Sequence, residues 1–412
     1  MSRTPSRKPP RPRPPRRRST RGGSAVVCVF LAALTAGTAT GSWQAEGTPW
    51  LASPAGSSGP GTGGGNEDGP GQEDDGRLSG DPAAAIADGE PPDGDAALLV
   101  SRSGDRWAAA YTAEEFEELQ LSLEGGYVGT GIALHRTPQG AIEISRVRSG
   151  SPAARAGVRA GDELLRIDGE PVDGVPVTEA VGRLRGSDRP GGAEAGSTVR
   201  VALQRDGEEW ETELQRAVLS TEPVTVDRAA EGTTLIRLDA FTEGSADLVR
   251  AAVENAPPDD SLLLDLRGNS GGLVTEAAAV ASVFLDGGLV ATYDVYGEQQ
   301  ALYAEPGGHA TRPLVVLVDA GTMSSAELLT GALQDRNRAV VVGRPTFGKG
   351  TVQMPIEQPD GSVAELTVGH YATPSGTVVR EGEGIVPDVV VQVGEDTVQR
   401  GRDVLDALGS GG

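Results

Sequence analysis

The sequence predicts an α/β protein: a layered core on a largely parallel sheet, preceded in the chain by a smaller, mainly-β unit. Two observations carry the core. Between residues 233 and 391 the apolar runs Leu262-Leu263-Leu264-Asp265-Leu266, Leu314-Val315-Val316-Leu317-Val318 and Ala339-Val340-Val341-Val342-Gly343 are continuous rather than alternating, as in strands covered on both faces. Helical patterns at 245–254, 273–284 and 326–334 separate or follow the strands, which gives the βαβα order of a parallel layer. A third observation marks the smaller unit. From Gly125 to about Val218 the strands are short, with only a helix or two between them.

Residues 1–22 hold nine basic residues and no acid, and the apolar run Ala25-Val26-Val27-Cys28-Val29-Phe30-Leu31-Ala32-Ala33-Leu34 follows. That is the order of an export leader. It is read over residues 1–40 as a cleaved signal peptide or as a single-pass membrane anchor, since Thr and Gly residues extend the apolar part toward Trp43. The only Cys, Cys28, lies inside it, so the exported part has no disulfide and no thiol nucleophile. Residues 41–95 are Gly, Pro, Ser, Asp and Ala with almost no aromatic or β-branched content, the composition of a disordered tether. Across the chain 59 acidic residues oppose 36 basic ones, a net charge of −23. A body so acidic argues against nucleic acid and anionic membrane surfaces as partners. Order is expected from Ala96, as a helical segment over 96–121 in which Thr112-Ala113-Glu114-Glu115 forms a capping box.

In the smaller unit, strands are expected at 131–134 and 141–144, a helix at 177–184 and a strand at 198–204. Between them stands Ser151-Pro152-Ala153-Ala154-Arg155-Ala156-Gly157-Val158-Arg159-Ala160-Gly161-Asp162-Glu163-Leu164-Leu165-Arg166-Ile167-Asp168-Gly169. This string closely resembles a PDZ domain, placed here at 122–218. The resemblance implies a groove that takes an extended peptide by strand addition and holds its free C-terminal carboxylate on backbone N–H groups. Gly129, Thr130, Gly131 and Ile132 stand where such domains have that carboxylate-binding loop. Glycine there lets adjacent N–H groups converge on an anion. Residues 188–197 read as an inserted loop.

Lysine occurs only twice, at Lys8 in the leader and at Lys349; elsewhere the chain uses Arg. Arg stays charged, whereas a desolvated Lys can lose its proton. A general base must be neutral to accept one. Lys349 lies in one of three Gly- or Ser-rich corners: Asp265-Leu266-Arg267-Gly268-Asn269-Ser270-Gly271-Gly272, Asp319-Ala320-Gly321-Thr322-Met323-Ser324-Ser325-Ala326-Glu327, and Thr346-Phe347-Gly348-Lys349-Gly350-Thr351-Val352-Gln353. Ligands of α/β sheets gather at the carboxyl ends of strands. A serine where strand turns to helix sits on unpaired N–H groups able to stabilise an oxyanion. With Lys349 beside it, the pair has the components of Ser/Lys acyl transfer.

Together with Tyr371-Ala372-Thr373-Pro374-Ser375-Gly376 and Gly384-Ile385-Val386-Pro387-Asp388, these corners resemble the carboxy-terminal processing (tail-specific) proteases over roughly residues 110–395. The resemblance implies an exported serine endopeptidase that recognises the C-terminal tails of protein or peptide substrates through its PDZ domain. It implies a crotonase/ClpP-like α/β protease core at 219–400 with the PDZ domain inserted, a short tail at 401–412, and neither cofactor nor metal. Residue by residue it puts the nucleophile on Ser324, the general base on Lys349 and the residue that orients the lysine on Gln353. The oxyanion donors fall on the N–H groups of Ser325 and Gly271. Two departures stand out. The family usually has Ala after its nucleophile and Ser two places on, where this chain has Ser325 and Ala326. Ser270 replaces the usual Pro or Gly, which leaves both Gly271 and Gly272 eligible as donor. Gln353, four residues from Lys349 along an expected strand, is placed on the same side.

Other readings are weaker. A Ser-His-Asp hydrolase would need His135, His309 or His370, of which only His370 lies near this chemistry. Gly343 to Lys349 has the spacing of a phosphate-binding loop, but Gly350 replaces the magnesium-binding Ser/Thr and a strand follows where a helix must start. Nucleotide is therefore not an expected partner. The Asp265 and Arg267 pair reads as a structural ion pair beneath its loop. The non-enzymatic alternative is a PDZ scaffold carrying an inactive protease domain.

Overall fold

The computed structural model describes residues 95–187, 192–295, 297–380 and 382–409. The expected leader at 1–40 lies outside them, as does the expected tether except for Asp95. Among the described residues no helix is long and apolar enough to cross a membrane.

The chain folds into a mixed α/β core with an inserted, mainly-β PDZ-like region. The core sheet runs in the order Val224–Ala230, Thr233–Leu238, Ser261–Asp265, Leu314–Val318, Val340–Gly343, Val389–Val390; the first pair is antiparallel and every later pair parallel. The alternation hidden in the continuous apolar runs appears once both faces are seen. Leu262, Leu264, Leu314, Val316 and Val341 join the helices Ser245–Asn255, Val274–Phe284 and Ser325–Asp335 in one buried cluster. Leu263, Val315, Leu317 and Val342 face Leu405 instead. Leu405 belongs to the helix Thr397–Gly409. The segment from 401, expected as a tail, is thus helical, with Gly401 and Leu405 buried. A Cβ on Gly401 would come within 2.8 Å of Leu317 Cδ2, so this helix approaches the sheet as closely as glycine allows.

A second sheet lies against this core. Its long strand Val363–Ala372 pairs with Thr351–Glu357, with Gly288–Val295 and with the short strand Ala109–Tyr111; Gly288–Val295 in turn pairs with Glu298–Ala304. The segment expected as helical over 96–121 therefore holds two helices, Ala96–Ser103 and Ala113–Leu123, with a strand between them. The capping box forms: Thr112 Oγ1 accepts from Glu115 N at 3.2 Å, and Glu115 Oε2 accepts from Thr112 N at 2.9 Å.

The PDZ-like sheet follows the order Ile132–Arg136, Ile142–Val147, Glu163–Ile167, Thr198–Arg205, Glu208–Gln215, and closes over Ile144, Leu164, Ile167, Leu184, Leu203 and Leu214. The chain enters and leaves it through one antiparallel ribbon, Gly126–Gly129 on Ala217–Ser220. Arg216, at the exit, is only 1% exposed and donates to Leu184 O at 2.8 Å and Arg183 O at 3.1 Å. It satisfies the last carbonyls of the helix Val177–Arg185, where a cation also suits the helix dipole.

Candidate active site

Three loops meet at the carboxyl ends of the parallel strands, and Asn269 ties two of them together. Its Nδ2 donates to Leu238 O (2.9 Å), its Oδ1 accepts from Gly271 N (2.8 Å) and its carbonyl accepts from Met323 N (2.9 Å). Thr322 adds a second tie through Oγ1 to Leu266 O (2.9 Å), and Phe347 N donates to Thr322 O (3.0 Å), bringing in the third loop. Beneath the first loop Arg267 grips Asp265 with two bonds, Nε to Oδ1 at 2.8 Å and Nη2 to Oδ2 at 2.7 Å. The ion pair expected from the sequence is thus formed.

Ser324 is the N-cap of the helix Ser325–Asp335 and has φ 58° and ψ −120°. A non-glycine residue held there costs on the order of 1–3 kcal/mol and persists only where its surroundings dictate it. Glu327 does much of the dictating. Fully buried, it accepts four hydrogen bonds: Oε2 from Ser324 N (2.9 Å) and Lys349 N (2.8 Å), Oε1 from Gly348 N (2.7 Å) and Thr346 Oγ1 (2.5 Å). Burial raises its pKa, and the four donors oppose that rise. Because one oxygen binds both amides, the nitrogens of Ser324 and Lys349 lie within about 6 Å of each other. Tyr371 reinforces the junction from the other side: its buried hydroxyl lies 3.2 Å from Ser324 O and 3.3 Å from Lys349 O. Sequence reasoning assigned no role to Glu327 or Tyr371. The available signal was the capping spacing of Glu327, three residues after a serine at a helix start.

The two adjacent serines differ. Ser325 Oγ donates to Gly272 O at 2.8 Å. Ser324 Oγ is buried and makes no hydrogen bond. Gly271 abuts this corner at φ 107°, and a Cβ there would lie 3.0 Å from Ser324 Cβ and 3.3 Å from Ser325 N. Its N–H, however, is the one bonded to Asn269, which draws it away from the oxyanion role the sequence suggested; the Gly272 amide takes no part in that bond.

Lys349 is 1% exposed. Burial pushes its ammonium down to about 8, while the carboxylates of Glu365 and Asp105 hold it up. Glu365, itself 2% exposed, is pushed up by burial to about 7, and Lys349 pulls the other way. Glycine on both sides lets the loop pass under Val379 and Arg380: a Cβ on Gly350 would sit 2.0 Å from Val379 O, and one on Gly348 2.5 Å from Arg380 O. Gln353 is fully buried on the following strand. The simple alternation from Lys349 does not apply, because the strand starts at Thr351 and its register shifts between Val352 and Gln353. His370 is exposed and its backbone N–H donates to Asp294 Oδ1 at 2.7 Å; no imidazole is bonded to Ser324 Oγ.

The PDZ-like loop lies in the inserted region. Gly129 ends one strand, Ile132 begins the next, and the buried Thr130 and Gly131 turn between them. Ala153 N donates to Thr130 O (3.0 Å) and Arg148 N to Gly131 O (2.9 Å), which fixes the turn. Among the described residues no group of three or more His, Cys, Asp or Glu could hold a metal ion.

Residues 232–391 match the sequence profile of Peptidase family S41, and residues 118–190 that of the PDZ domain. The chain is 34% identical over 316 residues to carboxyl-terminal-processing peptidase 3, chloroplastic, of Arabidopsis thaliana, covering 72% of this chain and 59% of that one. It is 34% identical over 289 residues to the carboxyl-terminal-processing protease of Synechocystis, covering 68% of this chain and 66% of the relative. With the corresponding protease of Picosynechococcus it shares 32% identity over 327 residues, covering 75% and 77%. The chain therefore spans somewhat under two thirds of the length of the first two relatives.

Proposed function

This chain belongs to the carboxyl-terminal-processing peptidases, and on that premise we propose that it is a serine endopeptidase that takes protein tails through its PDZ domain and cleaves them with Ser324 and Lys349. The observation that carries the reading is the pairing of a buried, unbonded Ser324 hydroxyl at a helix start with a buried lysine on a shared carboxylate anchor.

Neutral Lys349 takes the Ser324 proton as Oγ attacks the scissile carbonyl, forming a tetrahedral oxyanion. It returns the proton to the leaving amine, and water attacking the acyl-enzyme repeats the sequence. The oxyanion donors are the N–H of Ser325, first in its helix, and that of Gly272, which replaces Gly271 because Asn269 holds the Gly271 amide. Gln353, whose buried side-chain oxygen has no hydrogen-bond partner, receives the Lys349 ammonium as it approaches Ser324. The PDZ loop Gly129–Ile132 binds the tail's terminal carboxylate. The finer reading of the core as crotonase/ClpP-like rests on the sequence resemblance; the strand order with helices on both faces is that of a layered α/β core. The basic, then apolar leader supports an extracytoplasmic location, with the leader cleaved or kept as an anchor.

The test is cleavage of an unstructured reporter with a free or an amidated C-terminus. Ser324→Ala should abolish cleavage, amidation should weaken it, and Ser325→Ala should retain activity within about tenfold, since it loses one neutral hydrogen bond. Carboxylate-dependent binding without cleavage would instead favour the scaffold reading. A second expectation concerns pH. Protonated Lys349 is inactive, so kcat/KM should rise with pH and reach half its plateau near the lysine's value of about 8. A profile flat between pH 6 and 9 would contradict a lysine base.

A further inference from the structure

Trp107 lies outside both matched segments, 118–190 and 232–391, yet it touches two residues of the site. Its ring centroid is 5.2 Å from Lys349 Nζ. Its carbonyl accepts a hydrogen bond from Gln353 Nε2. The ring is itself fixed, edge-on to Phe347 at 5.8 Å. The main chain is fixed as well. Asp105 accepts from Trp107 N at 2.9 Å and from Thr367 N at 2.7 Å, and Ala109–Tyr111 pairs with Val363–Glu365 in the second sheet.

We propose that Trp107 is a positioning residue for the Ser324/Lys349 pair, its indole face holding the lysine ammonium and its carbonyl setting the Gln353 amide. A carbonyl can only accept, so the end of the amide facing it must be the NH2 group. The oxygen then faces the other way, and Gln353 Oε1 is indeed buried with no hydrogen-bond partner. An acceptor left in that state is suited to an N–H donor, and Lys349 supplies one when it moves from the ring toward Ser324. The indole holds the side chain near that path, because the π face attracts an ammonium while keeping water off it. Among the described residues, Glu365 and Asp105 act on the Lys349 ammonium, Glu327 and Tyr371 bond its backbone N–H and carbonyl, Tyr111 is bonded to Glu365 at 3.4 Å, and Arg106 Cζ lies 5.4 Å from the same indole.

This inference rests on the proposed protease reading for its kinetic part but not for its spectroscopic part. With only Lys8 and Lys349 in the chain, full-length protein labelled with 13Cε-lysine gives two signals, and Lys349→Arg assigns them. In the wild type the Lys349 signal should carry an indole ring-current shift. In Trp107→Leu that shift should vanish and the titration midpoint should fall by about half a pH unit, because losing the π face disfavours the cation. Trp107→Phe should keep most of both. Cleavage by Trp107→Leu should lose about tenfold in kcat with KM within twofold, its acid limb moving down with the lysine. Thermal melting checks that the variants fold. A Lys349 signal unmoved in Trp107→Leu, or a midpoint that rises, would overturn the proposal. A wild type that does not cleave would sink the protease reading and leave the spectroscopic test standing.

Discussion

Lys349→Arg should abolish cleavage, by at least about a thousandfold in kcat, while the protein still folds. General-base catalysis contributes roughly 10²–10⁴ to such reactions, and a guanidinium cannot become neutral to supply it. A second substitution separates chemistry from stability. Lys349→Met should be equally inactive but more stable than wild type at pH 7, by about 1–3 kcal/mol, because it removes a buried ammonium whose folded-state pKa is depressed. The sign follows from proton counts. Between about pH 8 and the ordinary lysine value the unfolded chain binds the proton that the folded chain has lost, so wild-type stability rises with pH in that window. Below about 8 both states are protonated and the cost of burial is complete. The gain from Lys349→Met should therefore shrink as pH rises from 8 toward 10. Denaturant unfolding at pH 7 and pH 10 measures it. A methionine variant no more stable than wild type at pH 7 would contradict a desolvated lysine.

Glu327→Gln should be nearly as damaging to activity, at least about a hundredfold, and unlike the lysine variant it should also destabilise the protein. Each oxygen of Glu327 accepts two donors. In glutamine one oxygen becomes an NH2 group, which turns donors against the donors of Ser324 and Lys349 or against those of Gly348 and Thr346. Turned toward Ser324 and Lys349 the NH2 group loses two buried bonds; turned toward Gly348 and Thr346 it loses at least the Gly348 bond, since the Thr346 hydroxyl can accept, so the cost is at least about 1–3 kcal/mol. The strained Ser324 conformation then loses its support, because the backbone geometry that positions Oγ relaxes when its amide is released. Thermal melting and kcat together test this. A variant with normal kcat would show that the carboxylate does not hold the nucleophile.

Much of this site was legible in the sequence, for reasons that can be stated. The parallel core was readable because strands covered on both faces must be apolar at every position. Ser324 and Lys349 stood out by residue type: a serine at a helix start, and a lysine in a chain that otherwise uses arginine. Less was legible where a contact joins distant segments. The Trp107 and Gln353 contact spans 246 residues. The second sheet pairs Ala109–Tyr111 with a strand more than 250 positions away. Nothing in either local pattern encodes such a partner. The end of the chain was misread as a tail because the helix from Thr397 has polar residues on its outer side and only a narrow buried stripe.

The sequence by itself determined the layered class, the PDZ-like insertion, the family and the residue types able to do Ser/Lys chemistry, because local periodicity and motif spacing report burial and backbone geometry directly. Only the tertiary structure distinguishes the adjacent serines, committing Ser325 Oγ to Gly272 O and leaving Ser324 Oγ unbonded. It alone drew the Gly271 amide to Asn269 and put Glu327, Glu365, Tyr371 and Trp107 around the lysine loop. Those outcomes depend on which donors and acceptors share one buried space, and that is fixed by packing across the whole chain.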